Sequence, residues 1–136
     1  MAKMVLTASY LSLNATVLHS WCSKIECTAE VEDKDVTTFG DSGWKVLLGG
    51  LASGSLALGF KQDYAAAALD AIMWPLFGTV VPFEIRASQA AVGTGNPKYT
   101  GSVLVKEWAP ISGSVGDEAS LDVTFPTSGA IIRATS

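Results

Sequence analysis

Apolar and polar residues alternate with a period of two along much of this chain. Every second residue is apolar between residues 24 and 31, and the same alternation recurs over 81–87 and 119–125. A period of two places successive side chains on opposite faces of a β-strand, so each stretch predicts a half-buried strand. Shorter candidate strands lie at 11–17, 43–48, 56–60, 99–108 and 130–135.

One segment has helical spacing instead. Asp63 is a good N-cap and is followed by an alanine-rich run of strong helix formers. Leu69, Ile72, Met73 and Leu76 recur at helical intervals and form an apolar stripe. Gly78 provides a stop signal after them. The pattern predicts a mainly β protein, an antiparallel β-sandwich or partly closed barrel with one flanking α-helix at about 63–77.

Length and composition describe a single domain with little surface charge. The chain has 136 residues, 49% of them apolar and 16% charged, with a net charge of −4. One domain over residues 1–136 is expected at this length. With so few charged residues to cover the surface, some apolar surface area must be exposed to solvent. This fits either a compact monomer or a subunit whose surface is covered by its neighbours. The Lys and Arg residues are scattered singly and form no cluster, so a sequence-specific nucleic-acid binder is not expected.

The residues that usually carry chemistry are sparse. His19 is the only histidine, so a catalytic triad is not predicted. Cys22 and Cys27 fit no zinc spacing, and a separation of five positions along one strand would put them on opposite faces, as free thiols. The apolar run at 65–81 is interrupted by Asp70, Pro75 and Gly78, so no membrane segment is expected. We therefore expect no enzyme, no metal and no cofactor.

The segment Glu30–Asp41, followed by Trp44, stands out from this background. It comes directly after an alternating strand and is too charged to be core. Its end brings Phe39 and a glycine together, which is typical of a loop that docks on a partner. The four carboxylates within residues 30–35, with Lys34 among them, match no calcium-loop spacing, and a solvated loop is the simpler interpretation.

With three further segments, this stretch resembles the tail tube (major tail) proteins of long-tailed phages. The segments are Gly49-Gly50-Leu51, interpreted as a hairpin, then Asn96–Gly101, and finally Val123–Gly129, with the turn Pro110–Ser114 between the last two. Their order covers nearly the whole chain. The resemblance implies a β-sandwich with a flanking helix, which assembles as stacked hexameric rings.

The resemblance also implies a function and partners. Such a chain would be a virion structural protein of the tail, assembled in the host cytoplasm, whose hollow tube conducts double-stranded DNA during ejection. Its partners would be other copies of itself, together with tape-measure, terminator and distal tail proteins. DNA would pass without sequence-specific binding, because like charges repel.

Particular residues follow from the same resemblance. Residues 31–44 would be the loop that contacts the adjacent ring, with Phe39 as its anchor. The extended N-terminal segment 1–14 and the C-terminal segment 131–136 would make further contacts between subunits. The inter-ring contact residues would be Val36, Thr37, Thr38, Phe39, Asp41 and Trp44. The candidates for the channel face, all on polar phases of strands, are Glu26, Glu84 and Asp122.

Two other interpretations remain open. One is another β-sandwich of the same particles, such as a distal tail, terminator or decoration protein, or the tube subunit of a contractile injection machine. The other is a carbohydrate-binding module that uses Trp21, Trp44, Trp74 and Trp108 as stacking platforms. Saturable sugar binding by a monomer would favour the second.

Overall fold

The computed structural model of the protein describes residues 3–136, which form eight antiparallel strands and one short α-helix. Met1 and Ala2, the start of the predicted segment 1–14, lie outside these residues. The strands are β1 (Tyr10–Leu13), β2 (Thr16–Val17), β3 (Cys22–Asp35), β4 (Leu47–Lys61), β5 (Val80–Arg86), β6 (Lys98–Leu104), β7 (Ser120–Pro126) and β8 (Ile132–Ala134), and the helix α1 is Leu69–Met73. The mainly β, antiparallel prediction is confirmed.

The strands form two sheets that face each other. One sheet has five strands in the order β2-β1-β5-β6-β8, and the other has three in the order β3-β4-β7. Among the described residues, no strand of one sheet pairs with a strand of the other. A single isolated β-bridge joins Val103 in β6 to Thr127, which lies just beyond β7. The architecture is therefore an open sandwich and not a closed barrel.

The core fills the space between the sheets. Each of the long strands contributes alternate apolar side chains, and α1 closes one side with Leu69 and Met73, both fully buried. The buried strand residues are Leu11, Leu13, Leu56, Leu58, Phe60, Val81, Phe83, Ile85, Val103, Leu121, Val123 and Phe125. Burying each such side chain contributes about 1.5–3 kcal/mol, which makes these alternating positions the main source of stability.

The helix is shorter than predicted, although its apolar stripe does face the core. Residues 65–68 form a turn, and Ala67 has a φ of 60°, a left-handed conformation that a helix cannot continue through. Asp63 caps this turn instead of a helix, because its Oδ1 accepts the Ala65 N–H at 3.0 Å. After Met73, a single 3₁₀ turn at Trp74–Leu76 carries the chain over Pro75.

The predicted strand 56–60 and the last two residues of the predicted strand 43–48 belong to one long strand, β4, while residues 43–46 are not strand. The Gly49-Gly50-Leu51 hairpin is therefore a wrong prediction, since β4 runs straight through it beside β3. The register shifts between Val31 and Asp33, where β4 has one extra residue. A Cβ on Gly50 would lie 3.0 Å from the Lys34 side chain, so glycine here permits close packing of the neighbouring strand and makes no turn.

A second irregularity in β3 changes the position of the cysteines. A register shift between Cys22 and Lys24 turns Cys22 towards the core, where Cys27 also packs. The prediction that the two cysteines lie on opposite faces of the strand is therefore wrong, while the prediction that both are free thiols is confirmed. Burial raises the pKa of both thiols, which keeps them protonated and unreactive.

Candidate assembly surface

The β3–β4 hairpin extends well beyond the core. Every residue from 28 to 53 is exposed except Asp41, which is half-buried. We call this stretch the arm, and its outermost part, residues 36–46, the arm tip. The predicted loop 31–44 thus divides in two, since residues 31–35 are strand and only the tip is loop.

The arm exposes many apolar side chains. They are Val31, Val36, Phe39, Trp44, Val46, Leu47, Leu48 and Leu51. Leu47, Leu48 and Leu51 were missed as contact candidates, although three leucines flanking a glycine pair on a strand without a buried face could have indicated them. Large apolar side chains exposed together on a protruding ribbon are typical of a surface that contacts another molecule.

Hydrogen bonds within the arm tip fix its conformation. The Thr37 N–H donates to Asp35 Oδ1 at 2.9 Å, and Val46 N–H donates to Thr37 Oγ1 at 2.8 Å. Thr38 and Asp41 form a capping box around a 3₁₀ turn, in which Thr38 N–H donates to Asp41 Oδ2 at 2.7 Å. Hydrogen bonding by the Thr37 side chain, and then by its N–H, lowers the pKa of Asp35.

Phe39 and Trp44 project from this fixed tip. Phe39 has a relative exposure of 109% and Trp44 of 78%. The two rings, with Thr37, Thr38, Gly43 and Lys45, line an open cleft of about 550 Å³. The six predicted contact residues therefore lie together at one end of the molecule: Val36 and the two aromatic residues are exposed, while Thr37, Thr38 and Asp41 hold the turn.

The three predicted channel-facing carboxylates do not lie together. Glu26 and Asp122 are exposed on the outer face of the three-stranded sheet, on the opposite phase to the buried Val123. Glu84 lies on the outer face of the five-stranded sheet, on the other side of the sandwich. Its Oε2 is 2.7 Å from Nε of Arg86, so this carboxylate is already paired.

The chain termini are placed partly in the sheets. Residues 10–13 of the predicted segment 1–14 form β1, while Met4, Val5 and Leu6 are exposed and outside any strand. In the C-terminal segment 131–136, β8 pairs with β6.

The four tryptophans lie in separate places. The Trp21 Nε1–H donates to Asp63 at 3.0 Å and the Trp108 Nε1–H to Asp70 at 3.2 Å, which fixes both against the body. Trp74 stacks on Phe77 with a centroid distance of 5.7 Å, and Trp44 is on the arm tip. They form no shared platform of the kind that a carbohydrate-binding module needs.

The described residues offer neither a cluster of metal ligands nor a bilayer-spanning helix. Residues 3–136 contain no group of three or more His, Cys, Asp or Glu placed to hold a metal ion. Within the same range, no helix has the length and apolar character needed to span a bilayer. The His19 ring packs against the Tyr10 ring at a tilt of 54° with a centroid distance of 5.4 Å, and its buried Nδ1 has no hydrogen-bond partner within residues 3–136.

Two solved structures share this fold. A chain in the tail of an empty gene transfer agent (GTA) particle, obtained with helical refinement and C6 symmetry, aligns with a TM-score of 0.65 and 22% identity, over 82% of this chain and 81% of that chain. A chain in the virion of a native GTA particle aligns with a TM-score of 0.71 and 21% identity, over 91% and 95%. Identity this low shows a common fold alone. No protein-family model matches the sequence, and no curated protein matches it.

Proposed function

We propose that this chain is a structural subunit of a phage-like tail, which assembles as stacked hexameric rings into a hollow tube that conducts DNA. The observation that carries the proposal is the arm, a protruding ribbon of residues 28–53 with apolar side chains that nothing in the described chain covers. The fold shared with chains of GTA tails and virions supports it.

The arm needs a partner to be stable. A two-stranded hairpin without a packed face is marginal in water, and this one exposes three leucines, Phe39 and Trp44. The partner we assign is a subunit of the adjacent ring, with Phe39 as the anchor of the contact. The exposed residues 4–6 and the C-terminal segment 131–136 would add contacts between subunits.

The edges of the three-stranded sheet offer a way to close a ring. β3 is an edge strand of 14 residues, and β7 is the opposite edge. Unpaired strand edges recruit other strands, so β3 of one copy and β7 of the next would extend the sheet from subunit to subunit. Contacts between different surfaces of identical subunits close into rings or continue as filaments.

Closing the ring in this way assigns the channel face. The outer face of the three-stranded sheet, with Glu26 and Asp122, would line the channel, and the paired Glu84 would face away from it. An acidic lining repels DNA and lets it pass without binding. In the virion the tube would meet tape-measure, terminator and distal tail proteins.

Negative-stain electron microscopy of the purified protein over a concentration series tests the proposal. We expect hollow tubes or six-fold rings, with tubes becoming longer as the concentration rises. A uniform monomer at high concentration would contradict it. Rings that never stack would instead favour another ring-forming tail component, such as a terminator.

A further inference from the structure

Strand β4 connects two opposite ends of the molecule. It has 15 residues, so its Leu47 end and its Lys61 end are about 45 Å apart. The arm tip, which directly precedes Leu47 in the chain, lies at the Leu47 end. The loop 109–119 is attached at the other end, where Lys61 Nζ lies 2.8 Å from Glu118 Oε1 and Gln62 N–H donates to the Ala119 carbonyl at 2.9 Å.

This loop, which we call the 109–119 loop, presents apolar side chains on a fixed base. Ile111 has a relative exposure of 85% and Val115 of 107%. The Pro110 carbonyl accepts hydrogen bonds from Gln62 Nε2, at 3.1 Å, and from the Tyr64 hydroxyl. Asp117 fixes the turn by accepting the Ser114 N–H at 3.0 Å.

The arm tip has the complementary chemistry. Its cleft has aromatic walls, Phe39 and Trp44, and Lys45 lines the same cleft. The tip carboxylates Asp35 and Asp41 are engaged by the N–H groups of the tip itself. Lys45 makes no ion pair within residues 3–136, so it is the charge that the tip has available for a partner.

We propose that the 109–119 loop of one copy docks into the cleft between Phe39 and Trp44 of a second copy, with Lys45 facing Asp117. Aliphatic side chains beside carboxylates match a cleft of two aromatic rings and one lysine. Since the two surfaces differ and lie at opposite ends of β4, the contact repeats head to tail along the direction of that strand. The inference rests on the proposed function and names the acceptor surface for the arm.

An inter-subunit disulfide tests this contact directly. In a chain with Cys22→Ser and Cys27→Ser, the pair K45C and D117C is introduced, and the purified protein is oxidised after assembly. A disulfide forms only when the two Cα atoms come within about 7 Å. We expect a ladder of covalent oligomers on a non-reducing gel, with each single-cysteine chain giving dimers at most.

A matched pair, K45C with K106C, tests the main competing acceptor. Lys106 is exposed and follows Val105, whose N–H donates to the Thr79 carbonyl beside the exposed Trp74–Phe77 stack. We expect no ladder from it. A ladder from this pair, or tubes without a ladder from K45C and D117C, would overturn the inference and leave the proposed function standing. Failure of the parent chain to form tubes would overturn both.

Charge exchange gives a second, independent measurement. K45E should raise the concentration at which tubes appear by about two- to five-fold, the effect of one exposed ion pair. Adding D117K to K45E should restore the original concentration. Because Lys45 is exposed and makes no ion pair within residues 3–136, thermal unfolding of K45E should match that of the parent. D117K also removes the hydrogen bond that Asp117 accepts from the Ser114 N–H, so a chain with D117K alone measures that loss. Tubes from K45E that D117K does not restore would overturn the assigned pairing.

Discussion

Phe39 projects from a turn whose conformation does not depend on it. The backbone around it is held by Thr38 and Asp41 through the capping box, and by Thr37 across the base of the tip. The ring itself packs on nothing in the described chain. A substitution of Phe39 can therefore change the association of subunits without changing their folding. Few apolar residues allow the two effects to be separated in this way.

Replacing Phe39 with Ala should leave folding intact and weaken the stacking of rings. We expect the concentration needed for tubes to rise by about tenfold or more, as for the central aromatic residue of an interface. Tube formation is followed by electron microscopy, and folding by circular dichroism and thermal unfolding. Tubes of normal length at the normal concentration would contradict the prediction.

Thr38→Ala serves as the graded comparison for that variant. It removes one capping hydrogen bond and keeps the aromatic ring, so it should weaken assembly less than Phe39→Ala does. The loss of such a cap costs about 0.5–2 kcal/mol in the stability of the turn.

Leu121 tests the opposite kind of residue. Its side chain is on the buried phase of β7 and retains a relative exposure of 5%. Leu121→Asp places a carboxylate in the core, at a cost of several kcal/mol, and should prevent folding. Asp122→Asn, one residue further on the exposed phase, is the control and should fold normally. A cooperative thermal transition for Leu121→Asp would refute the assignment of this core.

At the scale of elements, a turn and not a helix start follows β4. Asp63 holds it by accepting N–H groups from Ala65 and Trp21. The Ala65 bond, and then the Trp21 bond, lower the pKa of Asp63. A lowered pKa favours the charged form in the folded state, so this stabilisation is present above the ordinary aspartate pKa of 3.8 and is lost as the pH falls below it.

Asp63→Asn should therefore lower the Tm at neutral pH, and its difference from the parent should shrink as the pH falls below 3.8. Calorimetry or circular dichroism over a pH series measures both. Asp33→Asn on the arm is the matched control for the loss of one carboxylate. An equal Tm difference at neutral and acid pH would show that the charge of Asp63 does not matter.

The sequence predicted those elements in which burial produces a periodic pattern. The alternations at 24–31, 81–87 and 119–125 lie in β3, β5 and β7 to within one residue. One face of β5 and of β7 packs in the core, whereas in that part of β3 only Ile25 and Cys27 do, so the prediction of a half-buried strand is wrong for residues 28–31. Residues 32–35 continue β3 without alternation or a buried face, so nothing in their pattern distinguishes strand from loop. The glycines in β4 wrongly predicted a turn, and the alanines before α1 wrongly predicted a longer helix. Both predictions rest on local residue preferences, which carry no information about the neighbouring strand.

The candidate site divides in the same way. The six contact residues of the arm tip are close in sequence, so a local prediction brought them together. Glu26, Glu84 and Asp122 share only a polar phase. Which sheet each strand joins depends on pairing between distant segments, and that pairing separates Glu84 from the other two.

At the scale of the whole molecule, the sandwich presents two different outer faces. The face with Glu26 and Asp122 also carries Lys24, which lies across Gly59 from Asp122, while Ala57 lies beside Glu26. The opposite face carries the Glu84–Arg86 pair, with the Arg86 guanidinium 4.0 Å from the centre of the Tyr10 ring. Only the first face has acidic side chains without an ion-pair partner among the described residues.

Reversing the charge of the first face should make assembled tubes retain DNA. We expect tubes of the variant E26K with D122K to bind double-stranded DNA, with an affinity that falls steeply as salt rises, while parent tubes do not bind. Fluorescence anisotropy with a labelled duplex measures this.

E84K is the matched control for the other face and should leave DNA binding unchanged, provided that electron microscopy shows tubes. Retention of DNA by E84K tubes, or none by E26K with D122K tubes, would contradict the assigned channel face.

The long strand β4 also has a mechanical consequence. Over Ser55–Phe60 it is hydrogen-bonded to β3 on one side and to β7 on the other, and these bonds run perpendicular to the strand. Tension applied along β4 from the arm tip therefore loads all of these bonds together in shear, instead of breaking them one after another. A fibre built through such strands would resist stretching while remaining free to flex at the joints between its units.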